Sequence, residues 1–319
     1  MTLKLGSSGD AVKQLEQRLA DLGLYTGTID GSYGGGVQAA VRKFQATNGL
    51  EVDGSVGPNT WKALFPNEPR PVNPLLKAPI GQRCLALTGT FETSAPPPGC
   101  FSGLTGDFDK QGISFGALQW NFGQGSLQPL LKKFFANHPN VAADIFHENL
   151  ATLQATLQLP IPQQLAWTRT IQNARFQIAE PWKGMFLALG RTPEFQAIQA
   201  AAVDSTLATA RQMCKRFEVN SNRALALMFD IATQNGSISP TTEALIRAGY
   251  AKIPAGKPAD VEVARLQVIA NRRAEASNPV FVEDVRKRKL CIANGQGVVH
   301  GLPYDLAEQF GIDLTPISA

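Results

Sequence analysis

The stretch that decides the fold is residues 88–121, which read TGTFETSAPPPGCFSGLTGDFDKQGISFGALQWN. An apolar run with helical spacing leads into it and predicts a helix that ends close to Glu92. Residues 95–99 are rich in proline and glycine and predict a loop. Asp109 then opens a segment interrupted by glycines, which predicts a turn that leads into a short strand. One carboxylate therefore ends a helix, and another enters a strand 17 residues later.

Two carboxylates of this kind are the groups that hydrolysis of a glycosidic bond requires. One protonates the leaving oxygen, and the other activates a water molecule or attacks the sugar. Most Asp and Glu side chains are solvated surface charges, and an Asp in such a segment is often only a turn former. The spacing alone leaves both interpretations open. Asp107 is a rival for the role of Asp109, because strand alternation would put both on one face.

The composition is that of an ordinary globular protein. The chain has 319 residues, of which 44% are hydrophobic and 18% charged, enough for two domains or one large one. No apolar run approaches the roughly 18 residues of a membrane span, and the first residues lack the apolar stretch of a secretory signal. We therefore expect synthesis in the cytoplasm without a signal peptide. The net charge of +4 is too small and too mixed to predict nucleic-acid binding.

Cysteine and histidine form no pattern that is typical of a metal site. The three histidines do not occur in a metal-binding motif, and the four cysteines lack ligand spacing. We predict no metal and no cofactor. A disulfide between Cys84 and Cys100 stays open, although a cytosolic protein would keep both reduced.

The chain predicts two mainly helical parts joined by a linker. Residues 1–66 contain three helical patterns and two DGxxG turns, at Asp30 and Asp53. Residues 67–79 are rich in proline and predict a semi-rigid linker. Residues 80–319 predict a helical domain in which only residues 104–120 form a small sheet. Its predicted helices include residues 141–157, one opened by Thr192 and Pro193, a buried one at 223–232, and two at 260–275 and 282–290.

Residues 1–66 resemble the peptidoglycan-binding domain family of bacterial wall enzymes. The matching segments are LGSSGDAVKQLEQRLADLGLY, IDGSYGGGVQAAVRKFQATNGLEVDG and VGPNTWKAL, in the family's order. The resemblance implies a three-helix module that binds wall glycopeptide without cleaving it. Tyr33 stands where the family usually has Phe or Tyr, which makes it a candidate ligand contact. Packing in the core is the other interpretation, and it is favoured for Phe44 and Trp61.

Residues 80–319 resemble the lysozyme-like superfamily, in particular its chitosanase-related branch. That branch has a helix-terminal Glu followed by an Asp in a D-x-x-G-x-[ST]-x-G segment, as do Glu92 and residues 109–116 here. Residues 114–119 are also similar to the S-x-G-x-x-Q stretch of lytic transglycosylases. The branch's F-x-x-x-Q-x-x-x-x-D pattern is matched by residues 195–204, and its D-x-x-x-x-[HN]-G by residues 230–236. The resemblance implies an α+β domain with a small antiparallel sheet, in a chain that is mainly α.

The resemblance also implies roles for individual residues. Glu92 would be the general acid, and Asp109 would activate a water that Ser114 holds. This is inverting hydrolysis, in which the two carboxyls stand about 6.5–9.5 Å apart. The residues that would line the substrate cleft are Gln119, Trp120, Asn121 and Asn235. For Trp120, packing in the core is the other interpretation. Arg272 and Arg288 would pair with a buried acid behind the site, or form plain surface salt bridges.

The expected substrate is the glycan strand of peptidoglycan, because the N-terminal module points to the wall. Three alternatives remain: a lytic transglycosylase that uses Glu92 alone, a chitosanase-like glycosidase, and a wall-binding protein without activity. A phage endolysin released through a holin pore and a toxin delivered by a secretion machine would both combine a wall-binding module with a muramidase-like domain. The sequence therefore does not distinguish these two roles. We expect a monomer that acts on the periplasmic or extracellular wall.

Overall fold

The fold is known from a computed structural model, which describes residues 2–317. The chain forms two compact units, one made of the residues up to Leu87 and from Ser205 onward, the other of Thr88–Asp204. Both consist mostly of α-helices, and short antiparallel strands complete them. The predicted mainly α fold with a small antiparallel sheet is therefore confirmed.

The first unit begins with a three-helix module. Its helices are α1 (Asp10–Asp21), α2 (Gly35–Thr47) and α3 (Pro58–Leu64). They enclose one apolar core that contains Leu15, Val41, Phe44 and Trp61. The core interpretation of Phe44 and Trp61 is confirmed, since both are buried.

The two DGxxG turns of this module are built in the same way. The N–H of Gly31 donates to Glu16 Oε2 at 2.8 Å, and the N–H of Gly54 donates to Gln45 Oε1 at 2.8 Å. Both glycines have a positive φ, 79° and 71°, a conformation that side chains other than glycine rarely adopt. A buried polar side chain from the preceding helix thus satisfies the tight turn each time.

The proline-rich segment after the module is ordered in part. Residues Pro74–Lys77 form a 3-10 helix, and the side chain of Asn73 accepts a hydrogen bond from the N–H of Leu75 at 3.0 Å. The Asn73 amide also donates to the carbonyls of Glu308 and Gln309, at 3.2 and 2.7 Å. The division into residues 1–66, 67–79 and 80–319 stays a prediction.

Helix α4 (Ile80–Thr93) starts in the first unit and ends in the second. It is followed by a three-stranded antiparallel sheet in the order β1 (Leu104–Thr105), β2 (Ser114–Phe115) and β3 (Trp120–Asn121). The other helices of the second unit are α5 (Gln128–Asn137), α6 (Pro139–Phe146), α7 (Asn149–Thr156), α8 (Ile161–Thr170), α9 (Trp182–Arg191) and α10 (Pro193–Ala201). The predicted helix end at Glu92 and the predicted strand after Asp109 are both confirmed.

An aromatic core fixes the sheet to the helices of this unit. Phe115 of β2 stacks on Phe195 of α10 at 5.6 Å between ring centroids, and meets Phe186 of α9 edge-on at 5.3 Å. All three rings are buried. Burial of each is worth roughly 1.5–3 kcal/mol, so the position of this small sheet is well determined.

The single helix predicted over residues 141–157 is wrong. The chain forms α6 and α7 instead, separated at His147, which has φ 46° and ψ −130°. A residue with this backbone cannot continue an α-helix. The sequence carries no glycine or proline there to signal the break.

The first unit continues with an α-helical body and a second hairpin. Its elements are α11 (Asp204–Arg216), α12 (Asn222–Asn235), α13 (Pro240–Tyr250), α14 (Pro258–Glu275), α15 (Val282–Asn294), β4 (Gln296–Val299), β5 (Leu302–Asp305) and α16 (Leu306–Phe310). Residues 224–231 of α12 are all buried, which confirms the predicted buried helix. The expectation of one small sheet only is wrong, because β4 and β5 pair antiparallel around His300 and Gly301, both with positive φ. Among residues 2–317, no helix has the length and apolar character needed to cross a membrane.

Candidate active site

Glu92 lies on the last turn of α4 and is exposed, whereas Phe91 before it is buried. Gly89, three residues earlier, brings this helix against the turn between β2 and β3. A Cβ atom at Gly89 would lie only 2.7 Å from Cβ of Ala117, so no larger residue fits there without movement. The end of α4 and the sheet are therefore packed backbone against backbone, which fixes where Glu92 stands relative to the sheet.

Gln119 is a predicted cleft residue that lies close to this helix end. Its Oε1 accepts a hydrogen bond from Thr105 Oγ1 at 2.8 Å. A Cβ at Gly103 would lie 2.5 Å from Thr93 Cγ2 and 2.8 Å from Gln119 Nε2, so both side chains meet at this glycine. The structure thus brings the Gln119 amide beside Thr93, the residue that follows Glu92.

Asp109 is exposed in the turn that leads from β1 to β2. Its Oδ1 accepts a hydrogen bond from the N–H of Gln111 at 3.1 Å, the usual contact of a turn-forming Asp. The assumption of strand alternation for Asp107 and Asp109 is wrong, because both belong to a turn. Glu92 and Asp109 are thus both exposed, one on the helix and one on the sheet loop of the same unit.

Asp107 has a different environment, since it is only 4% exposed. Its Oδ1 accepts from the N–H of Gly112 at 2.7 Å, and its Oδ2 from Nε of Arg169 at 2.6 Å. Its own N–H donates to Gln172 Oε1 at 2.9 Å. Because both carboxylate oxygens bond within the protein, Asp107 holds the loop that carries Asp109.

The remaining predicted residues of the sheet have structural contacts as well. Ser114 is buried in β2, where it pairs with Asn121 of β3. Asn121 is also buried, and its Oδ1 accepts from the N–H of Gln124 at 2.8 Å, which shapes the loop after β3. Trp120 is partly buried and packs against the aromatic core. The structure therefore assigns core packing to much of the Trp120 ring and leaves part of it accessible.

Gln199 of α10 belongs to the F-x-x-x-Q-x-x-x-x-D pattern of residues 195–204, for which the sequence predicts no individual role. It is buried, its Oε1 accepts from the N–H of Ala117 at 2.9 Å, and its Nε2 donates to the carbonyl of Phe101 at 3.0 Å. Gly116, with φ 85°, lies directly against it, since a Cβ there would be 2.7 Å from Gln199 Oε1. Gln199 therefore holds the turn that carries Gln119. In the sequence, the feature that could have indicated this role is that Gln199 is an amide on the apolar face of a helix.

The two predicted supporting arginines, Arg272 and Arg288, both lie in the first unit. One pairs with a buried carboxylate and the other with an exposed one. Arg288 forms a buried ion pair with Asp230, at 2.6 Å between Nη2 and Oδ1. Lys289 adds a second buried cation bonded to the same carboxylate. Burial by itself raises the pKa of Asp230, but Arg288 and Lys289 outweigh it and lower the pKa to about 2. Arg272 instead pairs with Glu275 at 2.6 Å on the surface of α14. A buried acid is thus found for Arg288 and a surface salt bridge for Arg272.

Tyr33 is a core residue of the N-terminal module. It is 2% exposed, and its hydroxyl donates to the carbonyl of Gly54 at 3.0 Å. The predicted ligand contact through its ring is therefore corrected, because a ring enclosed in the core has no face to offer. Asn235, the last residue of α12, has a side chain that lies outside the described part of the structure.

The surface of the module carries a groove of about 420 Å³. It lies between α1 and residues 64–68, and its lining combines amide, basic and acidic side chains with an apolar floor. Arg18 borders it and donates through Nε to the carbonyl of Leu64 at 3.0 Å. In contrast to Tyr33, the polar side chains of this lining are accessible to a ligand.

The part of the chain that the structure describes contains neither a group of metal ligands nor a reactive thiol. Within residues 2–317, no three His, Cys, Asp or Glu side chains are grouped so that they could hold a metal ion. The four cysteines are free and buried. Burial raises the pKa of Cys84 and of Cys100 to about 12, so both stay as inert thiols at neutral pH.

Comparison with known proteins bears on the N-terminal module. Residues 8–64 match the family model described as "Putative peptidoglycan binding domain". This segment, which contains α1, α2 and α3, is similar to that family. The predicted resemblance of residues 1–66 to the peptidoglycan-binding domain family is thereby confirmed.

Several curated proteins share a segment of similar length. The zinc D-Ala-D-Ala carboxypeptidase of Streptomyces albus G is 45% identical over 69 residues, which cover 20% of this chain and 26% of that enzyme. The spore cortex-lytic enzyme of Bacillus subtilis is 49% identical over 64 residues, 20% of this chain and 21% of that protein. The chain thus spans about a quarter or less of the length of these relatives.

Solved structures with a similar arrangement are distant. A chitosanase complex has a TM-score of 0.44 at 17% identity, and covers 72% of this chain and 98% of its own. The Burkholderia AP3 phage endolysin has a TM-score of 0.20 at 19% identity, with the same coverage. At such scores these likenesses carry no argument about function.

Proposed function

We propose that this chain is a cell-wall lytic enzyme that hydrolyses the β-1,4 glycan strand of peptidoglycan, as a muramidase or endolysin does. The peptidoglycan-binding module supports the wall as the substrate. The carrying observation is that Glu92 and Asp109 are exposed on a packed helix and sheet, whereas Asp107 is buried and both of its carboxylate oxygens are bonded within the protein. Two accessible carboxylates on a rigid frame are the minimum that this reaction needs.

In the proposed reaction the bond between the anomeric carbon and the bridging oxygen breaks. Glu92, in its neutral form, gives its proton to the leaving oxygen. Asp109, ionised, takes a proton from a water whose oxygen attacks the anomeric carbon on the opposite face. The product is a reducing sugar of inverted configuration. Ser114 is assigned to the water, and Gln119, beside the end of α4, to an amide contact with an N-acetyl group.

A lytic transglycosylase is the second candidate. It would use Glu92 alone as acid and base and release an anhydro sugar without water. The hydrogen bond from the N–H of Gln111 to Asp109 favours it, since this contact alone would explain an Asp in the turn. A chitosanase-like glycosidase and a wall-binding protein without activity remain as further alternatives. As an endolysin or as a delivered toxin, the chain would act on the wall.

The test is mass spectrometry of the muropeptides that purified peptidoglycan releases. Wild type is compared with Glu92→Gln and Asp109→Asn. Reducing-end products that disappear in both variants are expected for hydrolysis by the pair. Anhydro products that persist in Asp109→Asn would identify a transglycosylase. If wild type releases no muropeptides, the proposed activity is refuted. If chitosan is the only polymer that wild type cleaves, the substrate is chitosan and not peptidoglycan.

A further inference from the structure

Two phenylalanines beside the candidate base are exposed, although most aromatic rings of this unit are buried. Phe108 precedes Asp109 and is 66% exposed, and Phe176 is 46% exposed. The exposed cation Lys110 lies two residues after Phe108, and the exposed cation Arg175 directly precedes Phe176. We call Phe108, Lys110, Arg175 and Phe176 the aromatic rim.

The two loops that carry the rim touch each other at Gly106. A Cβ at Gly106 would lie 2.0 Å from the carbonyl oxygen of Phe176 and 2.4 Å from Gln172 Oε1. Only glycine fits such an approach, because any side chain would overlap a backbone atom. The hydrogen bond from the N–H of Asp107 to Gln172 Oε1 joins the same two loops. Phe108 and Phe176 therefore stand on one fixed piece of structure.

Phe176 is held in this position against its conformational preference. Its φ is 58°, a region that bulky side chains rarely adopt. Asn173 maintains the conformation, because its Oδ1 accepts from the N–H of Arg175 at 2.9 Å and of Gln177 at 3.1 Å. The N–H of Phe176 in turn donates to the Asn173 carbonyl at 2.9 Å. A strained backbone that keeps an apolar ring in water indicates a binding role.

The charges of the rim favour one class of ligand. Arg169 of the neighbouring helix is paired with Asp107, whereas Lys110 and Arg175 form no ion pair among those found within residues 2–317. Aromatic rings pack against the apolar C–H faces of pyranose sugars, and exposed cations attract carboxylates. Wall glycan combines both features, because its sugars carry peptides with free carboxylates. Chitosan is a polycation, which Lys110 and Arg175 would repel.

We infer that the aromatic rim binds the substrate glycan beside Asp109 and selects strands with anionic substituents. The inference rests on the proposed function and gives it a specific binding surface. Phe108 and Phe176 would contact sugar faces, and Lys110 and Arg175 would contact peptide carboxylates. The rim residues bind substrate and take no part in proton transfer.

The test compares Phe108→Ala, Phe176→Asn and their double variant with wild type, on soluble peptide-bearing glycan oligomers. Asn is used at position 176 because it tolerates a positive φ. Each ring lost is expected to raise KM about fivefold, with kcat within about twofold of wild type. Phe108→Trp should retain the wild-type KM. Phe281→Ala, which removes a ring that is 58% exposed in the first unit, is the matched control and should change neither constant.

The charge selection is tested on the same oligomers after removal of the peptides. The Lys110→Gln/Arg175→Gln variant should raise KM for the peptide-bearing oligomer and leave that for the peptide-free one unchanged. Equal effects on both oligomers would overturn the selection for anionic substituents.

Three other outcomes separate the proposals. If wild type releases nothing from peptidoglycan, the proposed function fails and the inference fails with it. If wild type is active but the double variant keeps its KM, only the rim is refuted. If the double variant instead loses self-association, or binding to anionic lipid vesicles, at unchanged KM, the rim serves a second copy or a membrane and the inference is overturned.

Discussion

Arg288 and Asp230 form a buried ion pair, with 2.6 Å between Nη2 and Oδ1, and Lys289 bonds the same carboxylate from the next position of α15. Removing the carboxylate would leave two cations in the interior without a counter-charge. Asp230→Asn is therefore expected to lower the free energy of unfolding by about 3–5 kcal/mol. Urea denaturation of the full chain measures this change.

The surface pair of Arg272 and Glu275 is the matched control for that variant. Both side chains are more than a third exposed, so water screens their attraction. Glu275→Gln should change the free energy of unfolding by less than about 1 kcal/mol. Equal losses in Asp230→Asn and Glu275→Gln would contradict the view that burial makes the first pair decisive.

Asp230 also predicts how stability depends on acid pH. Burial raises its pKa, but the two cations outweigh burial, so the folded value of about 2 lies below the ordinary 3.8. A depressed pKa in the folded state means that the carboxylate stabilises the protein above about pH 4. This contribution, about 2 kcal/mol, is lost as the pH falls from about 4 to about 2. Urea denaturation across this range should show a steeper loss for wild type than for Asp230→Asn, and parallel curves would refute the prediction.

Local features of the fold were predictable where a residue type dictates its own backbone. Gly31 and Gly54 signal tight turns because only glycine readily adopts their positive φ. The bonds that satisfy those turns, from Glu16 and Gln45, were not predictable, because each joins residues that periodicity does not connect. The helix break at His147 was not predictable, because a histidine does not by itself indicate a positive φ.

In the candidate site, too, the local features were predictable and the long-range contacts were not. Glu92 at a helix end and Asp109 in a turn were predicted from local pattern. The burial of Asp107 was not, because it depends on Arg169 and Gln172, more than sixty residues further along the chain. Alternation along a strand was the wrong assumption for residues 107–109, where the chain turns. Long-range partners, which one sequence does not reveal, decided which carboxylate stays accessible.

Asp107 and Asp109 are expected to respond to mutation in opposite ways. Asp107→Asn weakens a charged bond to Arg169 and should lower the free energy of unfolding by about 1–3 kcal/mol, since the carboxylate is buried. Asp109→Asn removes an exposed charge and should change it by less than about 0.5 kcal/mol. If Asp109 is the base, the same substitution should lower glycan release by about 10²–10⁴-fold. Thermal unfolding and muropeptide release, measured on both variants, test this separation.

If Asp107→Asn lowers activity and Asp109→Asn does not, the roles of Asp107 and Asp109 are exchanged. A stable Asp107→Asn variant that has lost hydrolysis would make Asp107 the base. An Asp109→Asn variant with full activity would leave Asp109 as a turn former, and would favour catalysis by Glu92 alone.

Gly89 tests whether the packing of α4 on the sheet matters for Glu92. A Cβ there would lie 2.7 Å from Cβ of Ala117, closer than two such atoms can stand. Gly89→Ala should cost about 1–3 kcal/mol of stability through overpacking, and reduce activity because the last turn of α4 must shift. Gly35→Ala in α2 is the control, since nothing lies within 4 Å of its added Cβ, and it should be neutral or stabilise by up to about 1 kcal/mol.

A compensating change distinguishes displacement of Glu92 from a general loss of stability. Ala117→Gly removes the closest atom that the new Cβ of Gly89→Ala would meet, although the backbone of residue 117, at 3.2 Å, stays close. The double variant should therefore recover part of the activity, even though a glycine in the turn adds flexibility. Thermal unfolding and glycan release are measured together on the single and double variants. Recovery of activity that exceeds the recovery of stability would mean that the distance between α4 and the sheet, and with it the position of Glu92, limits the reaction.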